Sequence, residues 1–441
     1  MIGPLSLATI NLALPSIAID LQADAKMISW IPMSFLVAGV MFMLPAGKLA
    51  DIFGRKRAFL AGAAVASVLS TSASMVQSIE MLIFLRFLQG VAMAMVFGSG
   101  LAMLVSVFSN EKRGMAMGWY SGSVYFALTI SPFLGGWVTE HLGWRMVFWI
   151  QVPLSAVVFG LLYFMVPGEW RKESEEGKTS FDWTGSAIFA GWAITFVYGV
   201  SGLPNWIAVI TLVISACYLG LFVWHQSRVE NPLISMRLFT HNRVFSFSLA
   251  ASVLMYSVNF PMAFLLSIFL QITKGLTPTH AGLIMLFQAL TMAVIAPIAG
   301  RLSDRVEPRI VATLGCAFCV LGFALIWIAS GMAPVWTIAV GLVCVGLGFG
   351  FFTTPNNSAA MGSIDKTELG TASAAVNLAR TIGNLFGMSL MALVIHALIG
   401  AQEFTPELNS ELSQTVHIWM AIAGGLAILA AILSFSRGKV R

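Results

Sequence analysis

The chain has 441 residues, of which 58% are hydrophobic and only 10% are charged. Soluble domains carry about 25% charged residues, and this chain has too few to cover so much apolar surface. The composition excludes most soluble enzymes and indicates a polytopic membrane protein. The net charge of +5 does not indicate nucleic-acid binding, because the positive charges lie in short loops on one side of the predicted membrane spans.

Fourteen apolar segments approach or exceed the length of about 20 residues that a helix needs to cross a bilayer. They are 2–19, 28–46, 58–76, 81–106, 115–138, 146–166, 185–201, 206–224, 245–271, 281–299, 309–329, 333–356, 371–399 and 415–436. An all-α membrane protein with fourteen transmembrane helices is therefore predicted. The first span begins almost at Met1, so we expect a late start codon or a missing cytoplasmic tail. No basic segment precedes it, and no signal peptide is predicted.

Lysine and arginine residues predict the orientation of the spans. The loops after even-numbered spans and the C-terminal tail hold 19 of the 24 basic residues, and the loops after odd-numbered spans hold 3. Basic residues are enriched in cytoplasmic loops. Both termini are therefore predicted in the cytoplasm.

Two segments share the pattern G-x-L-x-D. Gly47–Asp51 follows the second span, and Gly300–Asp304 follows the tenth. Spans 1–6 and 9–14 are therefore predicted to be two copies of one six-helix unit, as in alternating-access transporters built from parallel repeats. The predicted parts are an N-terminal bundle at 1–166, linkers with two inserted helices at 167–243, and a C-terminal bundle at 244–441.

Three motifs resemble those of the major facilitator superfamily. They are the signature loop Gly47–Arg57, the R-x-x-Q-G motif Arg86–Gly90, and an antiporter motif formed by Gly118, Gly122, Pro132, Gly135 and Gly136. The antiporter motif usually has glycine where this chain has Ser131. The number of spans and three further segments narrow the resemblance to the fourteen-helix drug:proton antiporters of the EmrB/QacA type. These segments are Asn11–Pro15, Gly143–Arg145 and Asn231–Leu233.

The resemblance implies that the signature loop latches the two halves of the transporter in one access state. Glycine permits a tight turn with close backbone approach, and Asp51 can accept hydrogen bonds from a helix N-terminus or pair with arginines. A basic loop that only sets the topology is the alternative. The predicted gating residues are Gly47, Asp51, Gly54, Arg55 and Arg57, with Gly300, Asp304 and Arg305 in the second copy.

The antiporter motif places glycines at helical spacing together with Pro132. Small residues let helices pack closely in lipid, and proline can bend a helix. This pattern predicts a bendable helix at the interface between the halves. Ordinary tight packing is the alternative.

Two arginines lie inside predicted spans, where an ionisable side chain is costly and functional by default. Arg86 is predicted to face the cavity, with snorkelling to the interface as the alternative. Arg380 shares one helical face with two asparagines, which favours a cavity lining over interhelical hydrogen bonding. The predicted substrate or coupling residues are Arg86, Gln89, Arg380, Asn377, Asn384 and Asn11.

No Asp or Glu lies in the middle of a predicted span. The family usually has an aspartate nine residues before the proline of span 1, and here that position is Ser6. A proton antiporter needs a group that titrates near neutral pH, so the usual proton carrier is in doubt. His396 can titrate, but its place near the outer end of span 13 favours an interfacial residue.

The remaining candidates are soft or aromatic side chains. The C-x-x-C of Cys316 and Cys319 lacks a second pair of ligands, so all four cysteines, with Cys217 and Cys344, are predicted to be small buried hydrophobes. No metal, cofactor or disulfide is predicted.

A cavity lining rich in Met and aromatic residues suits adaptable apolar ligands, although most of these residues face lipid or pack the core. The candidate lining residues are Trp119, Tyr120, Tyr125, Tyr256 and Asn259.

The leading hypothesis, which the resemblance implies, is a secondary exporter of small amphipathic compounds in the inner membrane of a bacterial cell. The second is an exporter of an anionic metabolite, such as a siderophore or carboxylate, with Arg86 and Arg380 as anion partners and atypical or no proton coupling. The third, a membrane enzyme or sensor, lacks a supporting cluster or phosphate loop. The expected partners are the bilayer, a small-molecule substrate and protons, with no nucleic acid; a periplasmic adaptor is left open.

Overall fold

The computed structural model describes residues 2–107, 113–165, 181–240, 242–329, 334–364, 369–400, 402 and 406–438. These residues form helices joined by turns, and they contain no β-strand. Inside lipid every backbone N–H and C=O must be paired within the protein, which an apolar segment achieves by folding as a helix. The all-helical fold predicted from the sequence is confirmed for this part of the chain.

The first half of the chain forms helices where the apolar segments predicted them. They are α1 (Ile2–Ala8), α2 (Ile10–Asp20), α3 (Ala25–Phe53), α4 (Arg55–Ala73), α5 (Ile79–Val107), α6 (Arg113–Leu142), α7 (Arg145–Trp149), α8 (Gln151–Met165), α9 (Trp183–Ser201) and α10 (Trp206–Gln226).

The second half begins with a short helix and continues with long ones. They are α11 (Arg237–Thr240), α12 (Arg243–Ile272), α13 (Pro278–Ser303), α14 (Pro308–Ala329), α15 (Val335–Gly362), α16 (Leu369–Leu398) and α17 (Asn409–Ser436). A 3₁₀ turn at Pro406–Leu408 precedes α17.

Eleven helical stretches of the described residues are long and apolar enough to cross a membrane. The first predicted span is not among them, because Thr9 separates the seven-residue α1 from the eleven-residue α2. Helix α4 is also not among them, because it begins with Arg55, Lys56 and Arg57, which lower its hydropathy. A polytopic helical membrane protein is confirmed, and the number fourteen stays a prediction.

Contacts divide the chain into two compact units. Unit 1 consists of Met1–Leu7, Trp30–Ala127 and Arg145–Met236, and unit 2 consists of Ala8–Ser29, Leu128–Trp144 and Arg237–Arg441. Unit 2 thus contains α11 to α17 together with α2, the first residues of α3 and the C-terminal part of α6. The predicted division at 1–166, 167–243 and 244–441 stays a prediction.

The inserted helices α9 and α10 form a hairpin in unit 1. Their 19 and 21 residues correspond to roughly 30 Å each, the thickness of a hydrocarbon core. Trp183 and Trp224 lie at one end of the hairpin, and Tyr198 and Trp206 lie at the other; all four are more than half exposed. Aromatic side chains at both ends are typical of a helix that spans a bilayer.

The cysteines only partly follow the prediction. Cys316 and Cys319 are fully buried on α14, and the Sγ of Cys316 lies 3.8 Å from the Sδ of Met255. Cys217 is exposed on α10 and Cys344 is half-buried, so the prediction of buried cysteines is wrong for Cys217. No group of three metal-ligating side chains occurs among the described residues.

Candidate functional site

The signature loop turns at Gly54. Its φ of +112° lies in the left-handed region, which glycine adopts readily and other residues rarely do. Before the turn, the carboxylate of Asp51 accepts a hydrogen bond of 2.7 Å from the Nε of Arg55. The two side chains are 33% and 19% exposed, so the pair is partly screened and contributes at most about 1 kcal/mol. The gating role of these residues, and of the exposed Arg57, stays a prediction.

Gly47 lies within α3 rather than in the turn, and it faces Gly98 of α5. A Cβ on Gly98 would lie 2.8 Å from the backbone nitrogen of Gly47. The two helices therefore touch backbone to backbone at this glycine pair. Gly98 was missed from the sequence because a glycine inside an apolar run gives no local sign of its partner.

The second copy of the pattern forms a turn of a different kind. Gly300 lies within α13, and Asp304 directly follows the helix. The backbone N–H of Arg305 donates to the carbonyl of Leu302 over 3.0 Å. No residue of this described turn has a positive φ, so the second copy lacks an equivalent of Gly54.

Arg86 belongs to a buried polar chain in unit 1. Its Nη1 donates to the Oε1 of Gln89 over 2.8 Å, and the Nε2 of Gln89 donates to the Oγ of Ser70 over 3.2 Å. Ser70 in turn donates to the Oε1 of Gln151 over 3.4 Å. The guanidinium also stacks over the ring of Phe35, with 4.5 Å between its carbon and the ring centroid. The cation is thus contacted by one neutral amide and one ring, and two further neutral side chains extend the hydrogen-bonded chain.

The burial of Arg86 differs from the cavity-facing prediction. Its side chain is 0% exposed, and its Nε and Nη2 have no hydrogen-bond partner among the described residues. Gly90 has no room for a side chain because it contacts the carbonyl of Phe35. In this conformation the R-x-x-Q-G motif packs inside unit 1 rather than against open space.

Pro15 explains how α2 is joined to α12 inside unit 2. Proline has no N–H, so the carbonyl of Asn11 one turn earlier loses its helical partner. The Oγ of Ser267 donates to that carbonyl over 2.6 Å, and the Nε2 of Gln271 donates to the carbonyl of Leu12 over 3.1 Å. Asn11 is 2% exposed. We call these two hydrogen bonds the proline joint.

The antiporter motif forms close backbone contacts inside unit 2. A Cβ on Gly135 would lie 2.5 Å from the carbonyl oxygen of Thr9, and Gly136 contacts the carbonyl of Pro278. In return, Gly282 of α13 contacts the carbonyl of Pro132. At these three points α6 therefore approaches α2 and α13 with backbone against backbone. The surroundings of Gly118 and Gly122 lie outside the part of the chain that the structure describes.

Glu140 lies at the same end of α6 as these contacts. One oxygen of its carboxylate accepts a hydrogen bond of 3.0 Å from the backbone N–H of Thr279, in the first turn of α13. A carboxylate is stabilised at a helix N-terminus, and hydrogen bonding by Thr279 lowers the pKa of the Glu140 carboxyl below its usual range. Nearby, the Nε1 of Trp144 donates to the Oδ2 of Asp20 over 3.0 Å.

Arg380 lies beside an aromatic and amide face of α12. Its guanidinium carbon is 5.4 Å from the centroid of the Tyr256 ring, and that ring meets the ring of Phe349 edge-on at 6.1 Å. One turn along α12, the Oδ1 of Asn259 accepts a hydrogen bond of 2.6 Å from the Nε2 of Gln288. Tyr256 and Asn259 lie on α12, Gln288 lies on α13 and Arg380 lies on α16, and all four are half-buried.

The other residues singled out in the sequence differ in how far they are buried. Asn377 and Asn384 are half-buried on α16, and the Oδ1 of Asn384 has no hydrogen-bond partner among the described residues. Ser6 is 3% exposed. His396 is exposed in the last turn of α16, and its interfacial position stays a prediction. The surroundings of Trp119, Tyr120 and Tyr125 lie outside the description.

A cluster around Asp182 was missed in the sequence. This carboxylate precedes α9 and accepts hydrogen bonds from the N–H of Gly185 at 2.7 Å, the Nε2 of His225 at 2.9 Å and the Nε2 of Gln226 at 2.6 Å. The Oε1 of Gln226 also accepts from the N–H of Leu233 at 2.6 Å. Burial raises the pKa of Asp182, but the hydrogen bonds from His225, Gly185 and Gln226 outweigh it and hold that pKa below its usual value.

Arg437 was counted from the sequence as a basic residue of the C-terminal tail, but the structure buries it. Its side chain is 1% exposed, and its Nη1 donates to the Oδ1 of Asn356 at 2.6 Å and to the Oγ of Ser248 at 3.1 Å. Burial lowers the pKa of Arg437 to about 10, so the side chain stays charged at neutral pH. It joins the end of α17 to α12 and α15.

Comparison with known proteins identifies relatives along most of the chain. Residues 1–388 match the family model described as Major Facilitator Superfamily. The multidrug resistance protein Stp of Mycobacterium tuberculosis is 27% identical over 398 residues, which cover 89% of this chain and 73% of Stp. The multidrug export protein EmrB of Haemophilus influenzae is 28% identical, with 86% of this chain and 75% of EmrB covered. These relatives confirm the resemblance to drug:proton antiporters.

A further relative and a solved structure extend the comparison. The riboflavin transporter RibZ of Clostridioides difficile is 28% identical over 392 residues, covering 87% of this chain and 84% of RibZ. The crystal structure of a bacterial homologue of the human lysosomal transporter Spinster superposes with a TM-score of 0.69 at 15% identity, covering 99% of this chain and 94% of that chain. At this identity the superposition shows a common fold.

Proposed function

Since this chain belongs to the Major Facilitator Superfamily, we propose that it is a secondary active exporter of small amphipathic compounds in the inner membrane. It works by alternating access, with protons moving in the opposite direction to the substrate and both termini in the cytoplasm. The relatives named as multidrug resistance and export proteins support this proposal.

The observation that carries the proposal is the packing of the antiporter motif in unit 2. Backbone meets backbone at three points of this packing. Gly135 meets Thr9, Gly136 meets Pro278, and Pro132 meets Gly282. At these points the glycines present no side chain to the facing helix, so the contacts can open and close with little repacking. The predicted topology places them at the outer side, where an exporter must close while it loads substrate.

A second function is favoured by the charges within the spans. Ser6 replaces the usual aspartate of span 1, and no carboxylate lies in the middle of a predicted span. These features support an exporter of a specific anionic metabolite with atypical or no proton coupling. One relative is itself named a riboflavin transporter rather than a drug exporter.

Transport by the purified full-length chain in proteoliposomes tests both functions. Ethidium, Hoechst 33342 and fluorescein would be offered with and without an imposed pH gradient. We expect transport of at least one compound, accelerated by the gradient and returned to the basal rate by a protonophore. Transport that ignores the gradient would contradict proton coupling and favour the second function, whereas no transport of any compound would contradict the export proposal.

A further inference from the structure

The C-terminal end of α6 carries a carboxylate on the side that faces α13. Glu140 follows Gly136 by four residues, about one turn of helix, so the two residues share one side of α6. Gly136 contacts the carbonyl of Pro278, and a Cβ on Gly136 would lie 3.2 Å from the Cα of Thr279. The close approach at Gly136 therefore brings the side chain of Glu140 to the start of α13.

The first turn of α13 offers this carboxylate one backbone donor. Pro278 has no N–H, and the N–H of His280 donates to the Oγ1 of the N-cap residue Thr277 over 3.4 Å. The N–H of Thr279 lies between them, and no carbonyl of α13 precedes it by a full turn. It donates to the Oε2 of Glu140 over 3.0 Å. A side chain of α6 thus completes the cap of α13.

This hydrogen bond differs in kind from the glycine contacts around it. At Gly135, Gly136 and Gly282 backbone meets backbone, and each such van der Waals contact contributes little by itself. The side chain of Glu140 is exposed, and its carboxylate is ionised at neutral pH and meets the positive end of the α13 dipole. The bond can form only while α6 and α13 lie together, so it stabilises that arrangement over one in which they are apart.

We propose that the hydrogen bond from Thr279 to Glu140 stabilises the outward-closed state of the transporter. The inference rests on the proposed alternating-access export and specifies what controls its outer closure. In the predicted topology α6 belongs to the first repeat and α13 to the second, and the bonded ends lie at the outer side. Opening to the outside separates these ends and breaks the bond, and closing forms it again while substrate loads from the cytoplasm.

Distances between spin labels across this contact test the proposal without any substrate. Leu142→Cys and Trp336→Cys place the labels at exposed positions near the ends of α6 and α15, and α15 packs on α13. Cys217→Ser and Cys344→Ser remove competing thiols. Double electron–electron resonance on the full-length protein in nanodiscs then measures the ratio of the longer, outward-open distance to the shorter one.

We expect Glu140→Ala to raise this ratio about threefold, because the closed state loses one hydrogen bond. Glu140→Gln keeps an acceptor oxygen and loses only the charge, so it should raise the ratio less. In proteoliposomes both variants should show a higher KM for a compound loaded from the cytoplasmic side, since less protein is available for loading, and no lower maximal rate. A residue that only supported folding would lower the maximal rate instead.

Glu80 provides a matched control. It is an exposed carboxylate at a predicted outer helix end, but it lies in the first turn of its own helix α5, so Glu80→Ala should leave the distances unchanged. An unchanged ratio in Glu140→Ala, or an equal shift in Glu80→Ala, would overturn this inference and leave the export function standing. A shift in Glu140→Ala alone, combined with no transport of any compound by the wild type, would contradict the export function and support the role of the contact.

Discussion

The pair of Asp51 and Arg55 can be tested with a single neutral substitution. Because the pair is partly exposed, Asp51→Asn should cost less than about 1 kcal/mol of stability. If the pair latches an access state, transport should slow by roughly tenfold, equivalent to about 1.4 kcal/mol in the barrier. Detergent melting temperature and proteoliposome flux measure the two effects. Glu230→Gln, at an exposed loop carboxylate, should change neither, and normal flux in Asp51→Asn would refute the latch.

The Asp182 cluster predicts a larger effect on stability than on transport. Asp182→Asn weakens acceptance from His225 and Gln226, whose donors lie 2.9 and 2.6 Å away. Loss of charge-assisted hydrogen bonds in a buried site should cost about 2–3 kcal/mol. Limited proteolysis around the inserted hairpin should report faster cleavage in the variant. Equal cleavage rates in the two proteins would show that the cluster does not hold the hairpin.

The same carboxylate predicts the direction of a pH effect. The folded protein lowers the pKa of Asp182, so its contribution is complete above the unfolded pKa of about 3.9 and is lost as pH falls through the folded value. Hairpin protection in the wild type should therefore fall in acid below about pH 4, and Asp182→Asn should show less of this fall. An identical acid profile in both proteins would assign the pH effect to other groups.

Contacts between residues close in sequence were predictable, whereas contacts between distant residues were not. The i,i+4 spacing of Asp51 and Arg55 made their pairing predictable. Arg437 and Asp182 were assigned to loops because both lie just outside apolar runs, and only the folded chain shows that they are buried. Their partners Asn356 and His225 lie 81 and 43 residues away in sequence, and no local pattern connects residues at such distances.

Among the helices, the proline joint between α2 and α12 gives a double-mutant test. Ser267→Ala leaves the buried carbonyl of Asn11 without a donor, which should cost about 1–3 kcal/mol. Pro15→Ala supplies an N–H to that carbonyl, so Ser267→Ala should cost much less in the Pro15→Ala background. Unfolding of the four proteins in detergent measures the coupling. Additive costs would show that the two residues act independently.

Helix positions were predictable, whereas helix ends were less so. The second span was predicted at 28–46, but α3 runs from Ala25 to Phe53. Hydropathy marks only the part of a helix that lies in lipid, whereas backbone hydrogen bonding continues through Asp51 until the positive φ of Gly54 ends it. The proline joint was open to partial prediction, because Pro15 inside a helix signals a carbonyl that needs another donor.

For the whole molecule, the charge asymmetry predicts the topology. A reporter fused after residue 235 should be cytoplasmic, and one fused after residue 408 should be periplasmic. Paired alkaline phosphatase and fluorescent-protein fusions distinguish the two sides. A periplasmic signal at 235 would mean that α9 and α10 do not both cross the membrane.

The arrangement of the whole chain was only partly accessible from the sequence. The helical membrane fold followed from apolar length, and the family followed from motifs at Gly47–Arg57 and in α6. The composition of unit 2, which takes in Ala8–Ser29 and Leu128–Trp144, was not predictable. It depends on contacts such as Gly136 with Pro278, between segments that no shared local pattern identifies.

The proline joint also has a consequence for how this protein can evolve. If Ser267 is lost first, the Asn11 carbonyl stays buried without a donor, and selection opposes that step. If Pro15 is lost first, α2 regains an ordinary helical hydrogen bond, and the hydroxyl of Ser267 keeps its bond of 3.1 Å to the carbonyl of Phe264. The joint can therefore be dismantled readily in only one mutational order, and lineages that retain the proline are constrained to retain a donor on α12.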